Sequence, residues 1–267
     1  MTNSSTREWG APPADLILAD RTVDVWRLHL DRPPEVVDAL FERLSPDERE
    51  RAERYRVQRA YTCFVLTRAV LRELLASYLG DMGHSTSPDD VDLIAGEHGK
   101  PRLHAKHQPD EPADSLQFNV SHCKEWSLLA FSRGLEVGVD VERVRADISK
   151  LERVPRWFAA REREALDAYE GAERAEAFFR CWTRKEAFIK ATGQGFSTPL
   201  DSFAVSLAPE EVRLEWLEAG DADQWEIFSV APDEAYAGAI CVRADSSVYL
   251  RTITATVSNS PSVQLDL

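Results

Sequence analysis

The sequence has no long apolar run: none of its 267 residues lie in a stretch that approaches the ~20 apolar residues required by a membrane-spanning helix. The first seventeen residues are polar and include Pro12 and Pro13, so they do not resemble the apolar segment of a secretory signal. We therefore predict a cytoplasmic protein that has no membrane partner.

Cysteine is scarce, and the four cysteines are far apart in the sequence. No C-x-x-C pair is present, which argues against a zinc site built from thiolates. In a reducing compartment all four are predicted to be free thiols. Because 43% of the residues are hydrophobic, we expect a globular core that needs neither a disulfide nor a structural metal.

Positive charge is also in deficit, since 32 Lys and Arg face 46 Asp and Glu and the formal net charge is −14. This charge opposes non-specific attraction to nucleic acid, so no nucleic-acid partner is predicted. The exception is the segment from Arg49 to Arg72, in which seven arginines face two glutamates. Within it, Arg59 lies between apolar residues and is the better candidate for a ligand contact, whereas the others can pair with acids on a solvated helix.

The periodicity of apolar residues predicts a mixed α/β (α+β) fold. Strands are expected over 21–30, 116–120, 126–131 and 136–144, with short strands after residue 203. Helices are expected over 34–44, from Ser45 to near Gly80 as one long helix, and over 158–169 and 173–191. Because a similar order of elements occurs twice, we expect two halves related by pseudo-twofold symmetry, over 18–135 and 136–257. The segments 1–17 and 258–267 are expected to be flexible termini.

Asp140 and Glu142 lie two residues apart on a predicted strand, so their side chains project from the same face. Such a pair can chelate a metal ion, although a D-x-E pair on a strand is more often a solvated face. Glu186 and Lys190 are one helical turn apart, which in isolation describes a surface ion pair. The aromatic residues around them indicate a buried helix, and buried charges require partners or a metal.

Two shorter motifs are weaker indications of function when each is considered alone. Ser121 and His122 are expected to end one strand and to open a turn, where a hydroxyl and an imidazole can face an anion. Lys100 and Pro101 follow a glycine in a predicted turn that permits close backbone approach. A histidine in a hairpin is more often structural, and a Gly-Lys-Pro turn alone is an ordinary loop.

Taken together, these segments resemble the Sfp-type 4'-phosphopantetheinyl transferases, the class that activates surfactin synthetase and related proteins. The run from Val137 to Glu142, a gap of 39 residues and the run from Trp182 to Lys190 match the paired signature of that family. The resemblance spans roughly residues 20 to 210 and includes the 118–122 and 195–200 segments. Glu48 departs from it, because the family often has a lysine at that position.

The resemblance implies a monomeric enzyme with the 4'-phosphopantetheinyl transferase fold. It would move the 4'-phosphopantetheine arm of coenzyme A to a serine of an apo acyl or peptidyl carrier protein, and release adenosine 3',5'-bisphosphate. Asp140, Glu142 and Glu186 would hold Mg²⁺, with Mn²⁺ as an alternative. Glu186 and Lys190 would be the catalytic residues. Coenzyme A would contact the following residues: Arg51, Arg59, Lys100, Pro101, Ser121, His122 and Lys190.

Electrostatics support a cation at the predicted carboxylates, because three converging carboxylates repel one another strongly without one. All-oxygen ligands with no nearby thiolate favour Mg²⁺ or Mn²⁺. Two alternative functions remain. A non-catalytic protein that binds coenzyme A or another nucleotide has no need of three converging acids, and a metal-dependent phosphohydrolase requires an activated water, for which the sequence offers no second metal cluster.

Overall fold

A computed structural model describes residues 8–96, 100–108, 114–146, 154–259 and 265–266. Its strands and α-helices are arranged as a mixed α/β fold, which confirms the predicted fold class. The strands are β1 Thr22–His29, β2 Leu93–Ala95, β3 Pro101–Leu103, β4 Leu116–Cys123, β5 Trp126–Arg133, β6 Val137–Arg143, β7 Phe203–Val205, β8 Leu214–Leu217, β9 Trp225–Ser229, β10 Tyr236–Arg243, β11 Tyr249–Val257 and β12 Leu265–Asp266. The α-helices are α1 Pro34–Phe41, α2 Pro46–Glu53, α3 Gln58–Asp81, α4 Ala160–Asp167 and α5 Gly171–Thr192.

The first layer is a five-stranded sheet in the order β12-β11-β1-β5-β4, covered by α1, α2 and α3. Strand β1 is fully buried at Trp26 and Leu28, whose side chains pack against α3. Strand β11 pairs in parallel with β1, so strands from the beginning and the end of the described chain share one sheet. The predicted division into halves at residues 135 and 136, the pseudo-twofold relation and the flexible termini all remain predictions.

The prediction of one long helix from Ser45 to Gly80 is wrong, because the chain forms α2 and α3 with a break between them. Glu48 gives the physical reason. Its carboxylate accepts a hydrogen bond from Arg72 at 3.0 Å and lies 3.5 Å from Nε of Arg68. In one straight helix, residues 24 positions apart would be separated by ~36 Å. The chain therefore turns back after α2 to bury this ion pair.

The second layer is the three-stranded sheet β6-β10-β9, on which α5 packs. Gly138 on β6 permits the contact, because a Cβ atom there would lie 2.1 Å from the carbonyl oxygen of Ala187. Helix α5 ends where Gly193 adopts a left-handed conformation with φ of 69°. None of the helices in the described ranges has the length and apolarity needed to cross a membrane. All four cysteines are free thiols.

Helix α5 is anchored by a fully buried ion pair on the side that faces α4. Nζ of Lys185 donates hydrogen bonds to both carboxylate oxygens of Glu162 at 2.7 Å and to the carbonyl of Phe203 at 2.8 Å. Glu162 also accepts backbone N–H bonds from Ala159 and Val205. Burial raises the pKa of Glu162 and lowers that of Lys185, while their attraction opposes both shifts.

We expect Lys185→Met to destabilise the protein by ~3–5 kcal/mol, because it leaves the carboxylate of Glu162 buried without its cation. The double variant Lys185→Met/Glu162→Gln removes both charges and should recover most of this loss. Urea unfolding of the two variants and the wild type measures the difference. Equal stability of the single variant and the wild type would contradict the structural role of this pair.

Candidate active site

The predicted carboxylates of β6 face α5, as the alternation along the strand requires. Gly138, Asp140 and Glu142 point toward the helix, whereas the intervening valines enter a separate apolar cluster with β1 and β5. Lys190 on α5 reaches this face of the sheet, and its Nζ lies 2.7 Å from Oδ1 of Asp140. The structure thus joins two motifs that are 50 residues apart in the sequence.

Ser121 completes a compact polar cluster with Asp140 and Lys190. The Ser121 hydroxyl donates to Oδ1 of Asp140 at 2.9 Å and accepts a hydrogen bond from Nζ of Lys190 at 2.9 Å. Lys190 also donates to the carbonyl of Val139 at 3.1 Å. The second carboxylate oxygen of Asp140, Oδ2, is buried and has no hydrogen-bond partner within the described residues. A buried acceptor without a partner is costly, and a bound cation would satisfy it.

Glu142 and Glu186 lie close enough to Asp140 for the charges to influence one another. Burial, with a smaller contribution from the charge of Asp140, raises the pKa of Glu186 to about 6. Burial likewise raises the pKa of Glu142, and the charge of Asp140 adds to this effect. Across the described residues, however, no three acids, histidines or cysteines converge closely enough to form a ready-made metal cluster. The donor atoms are therefore near one another but not gathered around one point.

One thiol, that of Cys123, lies near the carboxylates. Sγ of Cys123 donates to Oε2 of Glu142 at 3.3 Å and accepts the backbone N–H of Arg143 at 3.4 Å. Burial raises the pKa of the Cys123 thiol to about 11, so the sulfur is protonated at neutral pH and is a poor metal ligand. The sequence contains a signal for this contact, because Cys123 follows Ser121 at the spacing that places both side chains on one strand face.

Ser121 and His122 do not open a turn as predicted, because β4 continues to Cys123 and only Lys124 and Glu125 form the turn. The reason is that β4 stays paired with β5 through its last residues, from Ser121 opposite Leu128 to Cys123 opposite Trp126. The side chain of Asn119 accepts the backbone N–H of Val139 on β6 at 2.8 Å, and Ser121 lies against Asp140. Desolvation of the His122 ring, followed by the charge of Lys190, lowers the pKa of His122.

Lys100 connects the short β2–β3 sheet to the end of α5. Its Nζ donates to the carbonyl of Lys190 at 2.7 Å and to that of Val137 at 3.2 Å. Burial lowers the pKa of Lys100 to about 8. The preceding glycine of the predicted turn, Gly99, lies outside the described residues. Lys100 therefore supports the backbone next to Lys190.

The two predicted arginines lie in different places. Arg51 lines a small cavity of about 140 Å³ together with Arg68, Phe64 and Pro101, and its guanidinium lies 5.2 Å from the centre of the Phe64 ring. Arg59 instead pairs with Glu125 at 2.8 Å and lines a separate cavity of about 430 Å³. The structure therefore brings Arg51 and Pro101 together but does not bring Arg59 to them.

Comparison with known proteins gives two family matches. Residues 136–241 match the model of the 4'-phosphopantetheinyl transferase superfamily, and residues 33–133 match the model described as 4'-phosphopantetheinyl transferase, N-terminal. The first match contains the β6 carboxylates and all of α5. The second contains the arginine-rich helices and the β4–β5 hairpin.

Several curated proteins are similar along most of the chain. The 4'-phosphopantetheinyl transferase HetI of Nostoc sp. is 33% identical over 238 residues, which cover 88% of this chain and 93% of that protein. The 4'-phosphopantetheinyl transferase Sfp of Bacillus subtilis is 29% identical over 221 residues, covering 81% and 91%. A solved structure described as a Chronobacterium ammoniagenes ACPS-CoA complex is 22% identical, covers 42% of this chain and 98% of that chain, and has a TM-score of 0.32.

Proposed function

This chain belongs to the 4'-phosphopantetheinyl transferase family and is an enzyme of that type, and we propose that it is of the Sfp-type class. Its donor is coenzyme A, and its acceptor is a serine of an apo acyl or peptidyl carrier protein. The observation that carries this proposal is the contact of the partly buried Lys190 with the buried Asp140 and Ser121, with Glu142 and Glu186 beside them. We further propose a cytoplasmic monomer.

In the proposed reaction, the hydroxyl oxygen of the carrier serine forms a bond to the β-phosphorus of coenzyme A. The bond between that phosphorus and the oxygen bridging to the α-phosphate breaks, and adenosine 3',5'-bisphosphate leaves with the electron pair. The serine proton passes to a base. Charge accumulates on the leaving phosphate, so preorganised cationic groups accelerate this step.

The carboxylates fit a hard divalent cation. Oδ2 of Asp140 is a buried acceptor that lacks a partner, and the raised pKa values of Glu142 and Glu186 reflect carboxylates that no nearby cation fully compensates. Asp140, Glu142 and Glu186 would hold Mg²⁺ or Mn²⁺, which would supply positive charge to the pyrophosphate oxygens. The thiol of Cys123 does not change this preference because it is protonated at neutral pH.

Lys190 is the second source of positive charge, since its Nζ lies against Asp140 and Ser121. We propose that Ser121 and His122 contact the phosphates of coenzyme A beside Lys190. Lys100 orients the end of α5 through the carbonyl of Lys190. Glu186 would hold the cation and is also a candidate base for the serine proton.

Transfer should decline as the pH falls through about 6, because Glu186 has its pKa raised to about that value and becomes protonated below it. A protonated carboxyl neither binds a cation nor accepts a proton. A bound cation favours the ionised form, so higher Mg²⁺ should move this acidic limb to lower pH. Rates measured between pH 5 and 8 at two Mg²⁺ concentrations test this expectation. A limb whose position is independent of Mg²⁺ would contradict a metal role for Glu186.

We propose that Arg51, which shares a cavity with Arg68 and Pro101, contacts the 3'-phosphate of coenzyme A. Arg51→Gln should weaken binding of coenzyme A by roughly ten- to hundredfold, because a hydrogen bond to a charged group contributes ~1.5–3 kcal/mol. Binding of 3'-dephospho-coenzyme A, which lacks the contacted group, should change much less. Calorimetry with coenzyme A and with 3'-dephospho-coenzyme A gives the ratio of the two affinities.

Arg59→Gln serves as the comparison variant for Arg51, because Arg59 belongs to the other cavity. It should alter the affinity ratio of the two ligands less than Arg51→Gln does. If instead Arg59→Gln abolishes the preference for the 3'-phosphate and Arg51→Gln leaves it intact, the nucleotide lies on the Arg59 side and our placement is wrong.

Incubation with coenzyme A, Mg²⁺ and several apo carrier proteins, followed by mass spectrometry, tests the proposed function directly. A modified carrier should gain the mass of one phosphopantetheine, on its serine. A protein that binds coenzyme A without catalysis would give calorimetric binding but no mass gain with any carrier. The three neighbouring carboxylates argue against this alternative, since phosphate binding alone gains nothing from them.

A further inference from the structure

The carboxylates of β6 lie along a seam between the two sheets. Strand β4 is an edge strand of the five-stranded sheet, and β6 is an edge strand of the three-stranded sheet. Among the described residues, no ladder of backbone hydrogen bonds joins these two strands. Side chains of β4 make the connection instead. The hydrogen bonds that cross the seam therefore determine how the carboxylates of β6 are held.

Three side chains of β4 cross the seam at alternate positions. Asn119 accepts a backbone N–H of β6 at 2.8 Å. Ser121 donates to Oδ1 of Asp140 at 2.9 Å, and Cys123 donates to Oε2 of Glu142 at 3.3 Å. Residues two apart on a strand project from the same face, so the sequence of β4 presents all three side chains to β6.

Each of the two β6 carboxylates thus receives one side-chain donor from β4. Ser121 also accepts a hydrogen bond from Lys190 and belongs to the polar cluster around Asp140. In the part of the chain that the structure describes, the thiol of Cys123 is the one side-chain donor that reaches Glu142. The proposed reaction gives Cys123 no role, although it touches a proposed metal ligand.

The thiol of Cys123 is itself fixed in place. Its Sγ accepts the backbone N–H of Arg143 at 3.4 Å while it donates to Glu142. The half-buried side chain also packs against the apolar cluster formed by valines of β6 and residues of β1 and β5. Burial raises the pKa of Cys123 to about 11, so the proton that it donates is present at neutral pH. Cys123 is therefore a fixed donor.

This contact engages one oxygen of Glu142 and leaves the other available. Oε2 accepts the thiol, whereas Oε1 accepts no hydrogen bond from the residues described. Burial raises the pKa of Glu142, and the hydrogen bond from Cys123 opposes that rise. The contact therefore favours the ionised carboxylate, which is the form that binds a hard cation.

A second observation on the same face of β6 points to a cation. Oδ2 of Asp140 is buried and has no hydrogen-bond partner within the described ranges. A cation would satisfy it, and Glu142 projects from the same face two residues further along the strand. The acids of the described residues are not gathered around one point. What holds each carboxylate therefore affects how readily it joins an ion.

We propose that Cys123 is a positioning residue for the metal site, because its thiol holds Oε2 of Glu142 and leaves Oε1 for a divalent cation shared with Asp140. This inference rests on the proposed function, in which these carboxylates hold Mg²⁺ or Mn²⁺. Cys123 itself does not bind the ion. It acts as the hydrogen-bonded partners of metal ligands do, by orienting a ligand and lowering the cost of ordering it.

Cys123→Ala removes the donor and should weaken binding of Mn²⁺ about tenfold. This is the lower end of the effect of losing a partner of a metal ligand, because a thiol is a weak donor. Cys123→Ser keeps a hydroxyl donor and should stay within about threefold of the wild-type affinity. Electron paramagnetic resonance of Mn²⁺ titrated in the presence of coenzyme A measures both affinities. In transfer, Cys123→Ala should raise the Mg²⁺ concentration for half-maximal rate by the same factor.

Cys63→Ala is the matched control, because it removes a buried thiol that belongs to the apolar cluster around α3. It should leave the affinity for Mn²⁺ unchanged even if it lowers the stability of the fold. The comparison separates the loss of a thiol from the loss of this particular hydrogen bond.

A double-mutant cycle tests whether Cys123 acts through Glu142. In a Glu142→Gln background, Cys123→Ala should cause no further loss of Mn²⁺ affinity, because the carboxylate that it positions is already gone. The S–H stretching band, obtained as the infrared difference between wild type and Cys123→Ala, reports the hydrogen bond without any metal. This band should move to higher frequency in Glu142→Gln, since an amide oxygen is a weaker acceptor than a carboxylate.

Several results would overturn the inference. Wild-type affinity for Mn²⁺ in Cys123→Ala would do so, and normal transfer by the same variant would leave the proposed function intact. Equal losses in Cys123→Ala and Cys123→Ser would show that the donor is not what matters. A loss that persists undiminished in the Glu142→Gln background would show that Cys123 acts by another route. Absence of Mn²⁺ binding by the wild type would remove the cation role and this inference together, while transfer in the same samples tests the proposed function separately.

Discussion

Asp140→Asn should lower kcat/KM for transfer by ~10²–10³-fold. It removes a carboxylate charge that helps to stabilise the transition state, and the loss of one preorganised electrostatic group from an enzyme has an effect of this size. Asparagine keeps the shape of the side chain and one carbonyl oxygen that can accept the hydrogen bonds of Lys190 and Ser121. It replaces a carboxylate oxygen with an amide nitrogen, which cannot bind a cation. The fold should survive, so the loss belongs to the chemistry. Steady-state rates at saturating Mg²⁺, with circular dichroism as the test of folding, measure the effect.

Asp245→Asn is the control for this substitution, since Asp245 is an exposed aspartate in the turn after β10. It should transfer at the wild-type rate. Near-normal transfer by Asp140→Asn at saturating Mg²⁺ would show that Asp140 is neither a metal ligand nor an electrostatic part of the site. Oδ2 of Asp140, which is buried and has no hydrogen-bond partner in the described residues, would then only lower the stability of the fold.

Lys190→Met should lower kcat by ~10²-fold with a small change in KM, because the charge of Lys190 acts most strongly as the pyrophosphate bond breaks. The ammonium group now donates to Asp140, Ser121 and the carbonyl of Val139. Its charge also opposes the burial that raises the pKa of Glu186. Loss of this charge should therefore move the acidic limb of the pH profile upward. The kcat, the KM and the pH at which the rate falls on the acidic side are all obtained from one set of rates measured at several pH values.

Lys190→Arg tests whether the charge of Lys190 or the geometry of its contacts matters more. It keeps the charge but replaces the compact ammonium with a planar guanidinium, which cannot make the same three short contacts. It should recover part of the rate and leave the acidic limb near its wild-type position. A change confined to the KM in Lys190→Met, with no movement of the limb, would make Lys190 a simple binding residue.

The parts of the site that could be predicted are those that local periodicity determines. The two-residue spacing of Asp140 and Glu142 placed them on one strand face, and the four-residue spacing of Glu186 and Lys190 placed them on one helix face. The resemblance to a family then indicated that the two faces meet. In the structure, Lys190 does reach Asp140, whereas the predicted convergence of three acids around one point is not present in the described residues.

The features that escaped prediction depend on contacts between distant residues. Glu48 occupies a position where the family often has a lysine. In the structure it binds Arg68 and Arg72, and the predicted single helix is divided into α2 and α3. Lys185 lies in the same run as Glu186, yet it faces α4 and pairs with Glu162. The periodicity of apolar residues does not identify Glu48 or Glu162 as a buried ion-pair partner, because a buried glutamate and a solvated one can occupy the same positions in that pattern. β4 likewise extends past Ser121 because His122 and Cys123 remain paired with β5.

We propose that Asp140, Glu142 and Glu186 together hold the divalent cation used for transfer. Titration of the protein with Mn²⁺ in the presence of coenzyme A, followed by electron paramagnetic resonance, tests this proposal because it counts bound metal without relying on turnover. We predict about one bound Mn²⁺ per wild-type chain, at least tenfold weaker binding by Asp140→Asn and by Glu186→Gln, and unchanged binding by Glu173→Gln, an exposed acid on the same helix. Wild-type affinity in both Asp140→Asn and Glu186→Gln would contradict the account.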